Sequence, residues 1–330
     1  MPYTRTLLIP LAAFILSVTG CRESPPPGKE ALPSGQGTRI VSLSPAISRT
    51  LVDLGAGGYV VGRSPFCNAL PQSVPVVGDL NRIDYERLVR LDPTHVLLQP
   101  PSGGVDSGLT TLARERGFTL RGWGGLNGVA DIQRLLRELP ATVAEDGTDL
   151  RAGMQARSVE VLSALDDVLR TGRKLQFPGS VMLVGGTNPI LAFGRGTYLD
   201  DVLQALGASN AVSAQGWVQL SLEDVARIDP EIIVLIPGVT NRAKDDALSS
   251  LQALPVRAGE TKRVAALRHP DALLPSSAIA EVAEALRRIL IELSHGHVPE
   301  PETDSSRTPQ RPDRGDGVVR PPAPCCAPVT

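Results

Sequence analysis

Few residues of this 330-residue chain are of types that carry chemistry; histidine and cysteine each occur four times. His95 opens an apolar run directly after Asp92-Pro93-Thr94 and reads as structural. His269 lies in "RHPDALLPSS" (268–277), where it either lines a cleft or ligates a metal centre, or is an ordinary loop residue. His295 and His297 flank Gly296 at a helix end, where cations complement the helix dipole. Cys67 stands alone, Cys325 and Cys326 adjoin near the end, and Cys21 follows an apolar stretch. A bare-zinc receptor needs about four ligands, and His269 with Cys67 falls short. "GRGT" (194–197) precedes a helix but lacks the lysine and the wider glycine spacing of a phosphate loop. No nucleophile stands with a base in a catalytic pattern. The expectation is binding without catalysis: no intrinsic cofactor and no metal site of the protein's own.

Two glutamates are more informative. "YERLVRLDPTHVLL" (85–98) and "LEDVARIDPEIIVL" (222–235) share one plan. Glu86 matches Glu223, Asp92 matches Asp229 and Pro93 matches Pro230. In each, a short helical rhythm ends at Asp-Pro, because proline disfavours the α conformation in the residue before it. An apolar strand-like run follows. Taken alone, the glutamates are either paired contact points for a partner or acidic residues favoured near helix N-termini.

These phrases sit in a longer alternation of strand and helix signals, the pattern of an α/β protein with parallel-type sheets flanked by helices. The order runs "RIVSL", "AISRTLVDLGAG", "YVVG", the first Glu-led helix, "THVLL", "SGLTTLARERG", "FTLRGW" and "VADIQRLLRELP". It restarts at "SVMLVG" and "TYLDDVLQALGA". Between the halves, 149–172 has no proline and apolar residues at three- and four-residue intervals, bounded by Asp149 and Gly172. Such a helix, roughly 35 Å long, suits a strut between two bodies. The expected organisation is an N-terminal lobe over 38–148, a connecting helix over 149–172 and a C-terminal lobe over 173–297. The first half is longer between Gly55 and Glu86 than the second between Gly207 and Glu223, by enough for an added strand. Segments 21–37 and 298–330 are rich in proline and lack hydrophobic period; they read as a tether and a disordered tail. A formal net charge of -2 excludes a basic nucleic-acid-binding field.

Residues 1–20, with Arg5 and the apolar "LLIPLAAFILSV" (7–18), form an export signal too short to span a bilayer. "VTGC" (18–21) resembles a bacterial lipoprotein signal, which implies cleavage before Cys21 and lipidation of its sulfur; the alternative is a signal peptide cut elsewhere. The chain from Arg39 to Leu293 resembles the helical-backbone substrate-binding proteins of ABC importers, which carry cobalamin, ferric siderophores or haem. The matching stretches are "RIVSLSPAISRTLVDLGA", "VPVVGDLNRIDYERLVRLDPTHVLL", "FGRGTYLDDVLQALGASN" and "GWVQLSLEDVARIDPEIIVL". The resemblance implies the class III periplasmic binding protein fold: two lobes, a rigid connecting helix and a cleft that opens little. It implies a lipid-anchored monomer at the membrane surface, partnered by a permease dimer with its ATPase subunits. It also implies that Glu86 and Glu223 dock into arginine pockets of that permease. Two departures stand out. Ser48-Arg49 replaces a frequent Thr-Glu, and Ser276-Ser277 follows Pro275 where Pro-Arg is frequent.

Ligands of parallel α/β lobes bind at strand carboxyl ends. With only 3% aromatics, those in such loops draw notice: Phe66, Trp123, Phe193, Tyr198 and Trp217. Each either grips a flat or macrocyclic ligand or packs its loop. The expected cleft comprises Ser44, Pro45, Ala46, Phe66, Trp123, Pro189, Phe193, Trp217 and His269. Arg63, Arg82, Arg195 and Arg268 supply cationic contacts or are solvated loop residues. The function expected is capture of a metal chelate, cobalamin ahead of a siderophore or haem, for ABC import. Rival readings are a ligand-sensing lipoprotein without a transporter and an enzyme on the same fold.

Overall fold

The computed structural model describes residues 37–79, 81–172, 179–237 and 243–294. The expected signal peptide, Cys21, most of the tether, His295, His297, the tail and its Cys325-Cys326 pair lie outside the described residues.

The first lobe runs β1 (Ile40–Ser42), α1 (Pro45–Asp53), β2 (Val60–Arg63), α2 (Tyr85–Arg90), β3 (His95–Leu98), α3 (Ser107–Arg116), β4 (Thr119–Gly122) and α4 (Val129–Val143). Its four strands are all parallel, in the order β2-β1-β3-β4. The three strands β1 to β3 are short and buried on both faces, as helix-covered parallel strands are. The second lobe follows α5 (Asp149–Gly172): β5 (Ser180–Thr187), β6 (Ile190–Phe193), α6 (Tyr198–Ala205), β7 (Ser209–Asn210), β8 (Trp217–Leu220), α7 (Leu222–Ile228), β9 (Ile232–Leu235), α8 (Ala243–Gln252), α9 (Arg257–Glu260), β10 (Val264–Ala266) and α10 (Ile279–Ser294). Its sheet order is β10-β9-β5-β6-β8, with β7 beside β5.

This second sheet is mixed, because β5 and β6 are joined only by Asn188 and Pro189; so short a connection permits only an antiparallel pair. Strand β8 then pairs antiparallel to β6. Among the described residues of the first half, the expected added strand does not form. Residues 64–79 and 81–84 are irregular, tied by isolated bridges between Arg63 and Val76 and between Gly78 and Ile83. The added strands belong to the second half instead.

The repeated phrase is matched in backbone geometry. Helices α2 and α7 end next to Asp92 and Asp229, which take left-handed φ values of 43° and 48°. Aspartate tolerates that conformation better than most residues. Helix α4 passes its expected stop at Pro140 and continues to Val143. Proline has no N–H for the carbonyl four residues back. That carbonyl, Leu136, accepts from Ser158 Oγ on α5 at 2.7 Å.

One apolar core runs through both lobes. It joins Leu51 and Leu54 beneath α1 with Leu139 of α4, Leu165 of α5, Leu203 of α6 and Leu286 of α10. Smaller clusters cover the opposite sheet faces.

Candidate ligand cleft and docking face

Ser44 follows β1 at the carboxyl edge of the first sheet. Its Oγ caps α1 by accepting from Ile47 N–H at 3.4 Å, and donates to Gln99 Oε1 beyond β3 at 2.7 Å. Pro45, at the start of α1, is half-buried; its missing N–H costs nothing there. Ala46 is buried at 1% exposure. Ser44 and Ala46 are thus buried beneath the surface, and only Pro45 of the three is partly open to a ligand.

The aromatics divide sharply. Phe66, in the loop after β2, is 62% exposed and Trp217 is 51% exposed. Trp217 opens β8 and Phe193 closes β6, so both are strand residues rather than loop residues; they pair across the strands. Their rings lie 3.9 Å apart, tilted by 48°. A Cβ on Gly185 of β5 would stand 3.0 Å from Trp217 Cζ3. The indole is thus laid on bare backbone, with Phe193, itself fully buried, supporting it. Trp123 is buried, and its Nε1–H donates to Glu138 Oε2 at 3.0 Å. Tyr198 is buried and donates to the Ala272 carbonyl; burial raises its pKa. Pro189 is exposed at the β5–β6 turn.

His269 sits between β10 and α10. Its Nδ1 accepts from the Asp271 N–H at 3.2 Å, so the ring hydrogen of the neutral form lies on Nε2, 2.9 Å from Glu281 Oε2. Both nitrogens are engaged. Cys67 is buried among Ser42, Ser48 and Ser64; Ser48 Oγ reaches its sulfur at 2.9 Å, and burial pushes the thiol pKa up. Such a thiol is inert. Arg63, at 4% exposure, is consumed by the Val74 and Ser64 carbonyls and Gln72 Oε1. Arg82 and Arg195 are exposed. In the "GRGT" loop, the Gly196 N–H donates to the buried Asp200 carboxylate at 3.0 Å, so a fixed anion already fills that turn. Among the described residues no cluster of three or more histidine, cysteine or acidic side chains is placed to hold a metal.

Glu86 and Glu223 each occupy the second position of their helices and are exposed. Asp84 caps α2 and Ser221 caps α7, each accepting the N–H three residues on. Glu86 pairs with Arg90 at 3.0 Å, but both side chains are largely solvated and the pair is weak. Each glutamate follows an exposed apolar residue, Tyr85 or Leu222. Burial and the Asp106 carboxylate push the Tyr85 phenol up to about 12.

Sequence reasoning noted Arg49 and Ser277 only as departures from a pattern and passed over Asp271. The structure brings them together: Arg49 Nη1 meets Asp271 Oδ2 at 2.5 Å across 222 residues of chain, and Ser277 Oγ donates to Asp53. No local pattern could have signalled this contact.

No known family model matches the chain. An uncharacterized ABC transporter substrate-binding lipoprotein of Bacillus subtilis is 25% identical over 223 residues, 66% of this chain and 69% of that protein. A cobalamin-binding protein of Halobacterium salinarum is 25% identical over 226 residues, 65% of this chain and 58% of the relative. Among solved structures, the periplasmic vitamin B12 binding protein of Vibrio cholerae matches with TM-score 0.62 at 20% identity, over 78% of this chain and 97% of that one. A periplasmic haem-binding protein of Pseudomonas aeruginosa matches with TM-score 0.61 at 22% identity, over 77% and 93%. The chain is similar in sequence to an ABC transporter substrate-binding lipoprotein and has the two-lobed class III periplasmic binding protein fold, its lobes joined by one long helix.

Proposed function

We propose that the protein captures a metal chelate, cobalamin in first place, between its lobes and delivers it to an ABC permease with its ATPase subunits. The carrying observation is the equivalence of Glu86 and Glu223: same helix position, both exposed, one per lobe. A two-fold permease dimer presents two equivalent sites, and a partner with two equivalent carboxylates meets both at once. The exposed aromatics, Phe66 on the first lobe and Trp217 on the second, supply faces for a broad, largely apolar ligand. A ligand that brings a complete coordination sphere suits this cleft better than haem, because His269 has no free lone pair in its hydrogen-bonded form. Cys21 serves as the lipid anchor that keeps the protein at the membrane.

Two measurements test this reading. Thermal-shift screening of the purified protein against cyanocobalamin, cobinamide, haem and ferric siderophores should single out a corrinoid; a ligand at 100 times its Kd stabilises by about 2.7 kcal/mol. With that ligand, Glu86→Ala plus Glu223→Ala should abolish delivery through the cognate permease while leaving Kd unchanged. A shift with haem alone overturns the ligand assignment, and undiminished transport by the double variant overturns the docking assignment.

A further inference from the structure

The lobes meet through a polar cluster as well as through α5. Arg49, midway along α1, donates from Nε to Asp53 on its own helix at 2.8 Å and from Nη1 to Asp271 of the second lobe at 2.5 Å. Glu281, in the first turn of α10, stands 4.0 Å from Nη2. The Asp53 oxygen also accepts from Ser277 Oγ at 2.6 Å, and the Ser277 N–H donates to Thr50 Oγ1 at 3.3 Å. His269 closes the circuit, contacting Glu281 and the Asp271 backbone. The side chains of Arg49, Asp53 and Asp271 are only 22%, 24% and 15% exposed, so salt screens them less than surface pairs. The planar guanidinium fork can serve carboxylates on two elements at once, which an ammonium does less well. Helix α1 leaves the carboxyl edge of the first sheet, and the 267–278 loop leaves the carboxyl edge of the second, after β10. The cluster therefore ties together two elements that each emerge from the carboxyl edge of a sheet, gripping α1 from its middle to its last residue, Asp53.

We propose that Arg49 is a positioning residue: it clasps the 268–278 loop of the second lobe to α1 and thereby sets the spacing at which the cleft grips its ligand. The second half of this statement rests on the cleft reading above; the clasp itself does not. The test uses the full chain and begins without ligand. Amide hydrogen exchange is followed in peptides covering 46–54, 95–98 and 269–278 for wild type, Arg49→Ala, Asp271→Arg and the charge-exchanged Arg49→Asp plus Asp271→Arg. Opening of 269–278 should be about 10-fold more frequent in Arg49→Ala, as for loss of about 1.4 kcal/mol. Exchange in 95–98 should stay level, and the charge-exchanged pair should regain most of the protection that either single change loses. A general loss of packing would not be rescued by exchanging charges. Exchange in 269–278 within twofold of wild type, or a charge-exchanged pair as fast as the single variants, overturns the clasp. If Arg49→Ala does not fold, Arg49→Lys and Asp271→Asn are read by the same criteria.

The off-rate of cyanocobalamin then tests the spacing. It should rise several-fold in Arg49→Ala and return in the charge-exchanged pair; an unchanged off-rate with a loosened loop overturns the spacing role. If wild type itself does not bind cyanocobalamin, the ligand reading fails, the clasp stands or falls on exchange, and the off-rate is measured with whichever screened chelate does bind.

Discussion

Replacing Trp217 with alanine is the most direct probe of the cleft. A tryptophan side chain offers at most about 250 Å² for burial. At 51% exposure, roughly half of that, about 125 Å², is open to a ligand. Covering it contributes about 3 kcal/mol at ~25 cal/mol per Å². Full coverage sets the ceiling, so Trp217→Ala should weaken Kd by up to about 100-fold. The substitution also uncovers Phe193, and the change must be separated from unfolding. Removing the covered half of the ring should cost about 1–2 kcal/mol of stability, a fall in Tm of about 2–4 °C per kcal/mol. Titration calorimetry well below Tm, using the ligand identified by thermal shift, measures the affinity alone. Trp217→Phe should retain most of it, because the smaller ring still rests on Gly185. If Trp217→Ala binds within threefold of wild type, the indole is not a ligand face and the cleft must be gripped elsewhere.

Three other perturbations follow from the packing. Ser158→Ala leaves the Leu136 carbonyl without its donor where Pro140 cannot serve; chemical denaturation should register a loss of about 1–2 kcal/mol. Gly128→Ala places a Cβ 2.8 Å from Asp201 Oδ2, the oxygen that accepts from Val129 N–H at the start of α4. It should cost about 1 kcal/mol in wild type and almost nothing further in Asp201→Ala, a non-additivity that a double-mutant cycle measures directly. Hydrogen bonding to Arg287, followed by that to Arg288, holds the Glu284 carboxyl at about 2, well below its ordinary 4.5. A depressed carboxylate stabilises above the unfolded value and loses that contribution as pH falls from about 4.5 towards 2. Glu284→Gln should therefore be less stable than wild type at neutral pH, by about 1 kcal/mol after solvent screening, and the gap should close in that acid window.

Much of the architecture was legible because its signals are local. Asp92-Pro93 and Asp229-Pro230 end helices and start buried strands wherever they occur, and the spacing of Met154, Val161, Leu165 and Val168 is helical without reference to anything distant. The hairpin of β5 and β6 was not legible, since "GTNPILAFGRGTY" contains turn residues at both ends and reads equally as one long loop. Nor did Pro140 stop α4, because Ser158 replaces the missing partner from another helix. At the site, type and position of an aromatic were readable but its direction was not. Trp123 and Phe193 turn inward while Phe66 and Trp217 remain open, a difference set by neighbours such as Glu138 and Gly185 that are remote in sequence. Arg49 and Asp271 lie still further apart, and only the folded chain makes them partners.

The long helix α5 has a mechanical consequence. A hinge made of extended strands changes shape by rotating a few backbone torsions and so rests in discrete open and closed states. Helix α5 has 24 residues, its successive turns hydrogen-bonded to one another, and it packs on α4 of the first lobe and α10 of the second. It responds to load as an elastic rod. A bend of about 5° over its ~36 Å length displaces one end by only ~3 Å relative to the other. Ligand capture should therefore stretch a spring rather than throw a switch: breathing of the cleft is continuous, of small amplitude and without a slow step. On the proposed function, a permease that empties this protein must supply force against that stiffness.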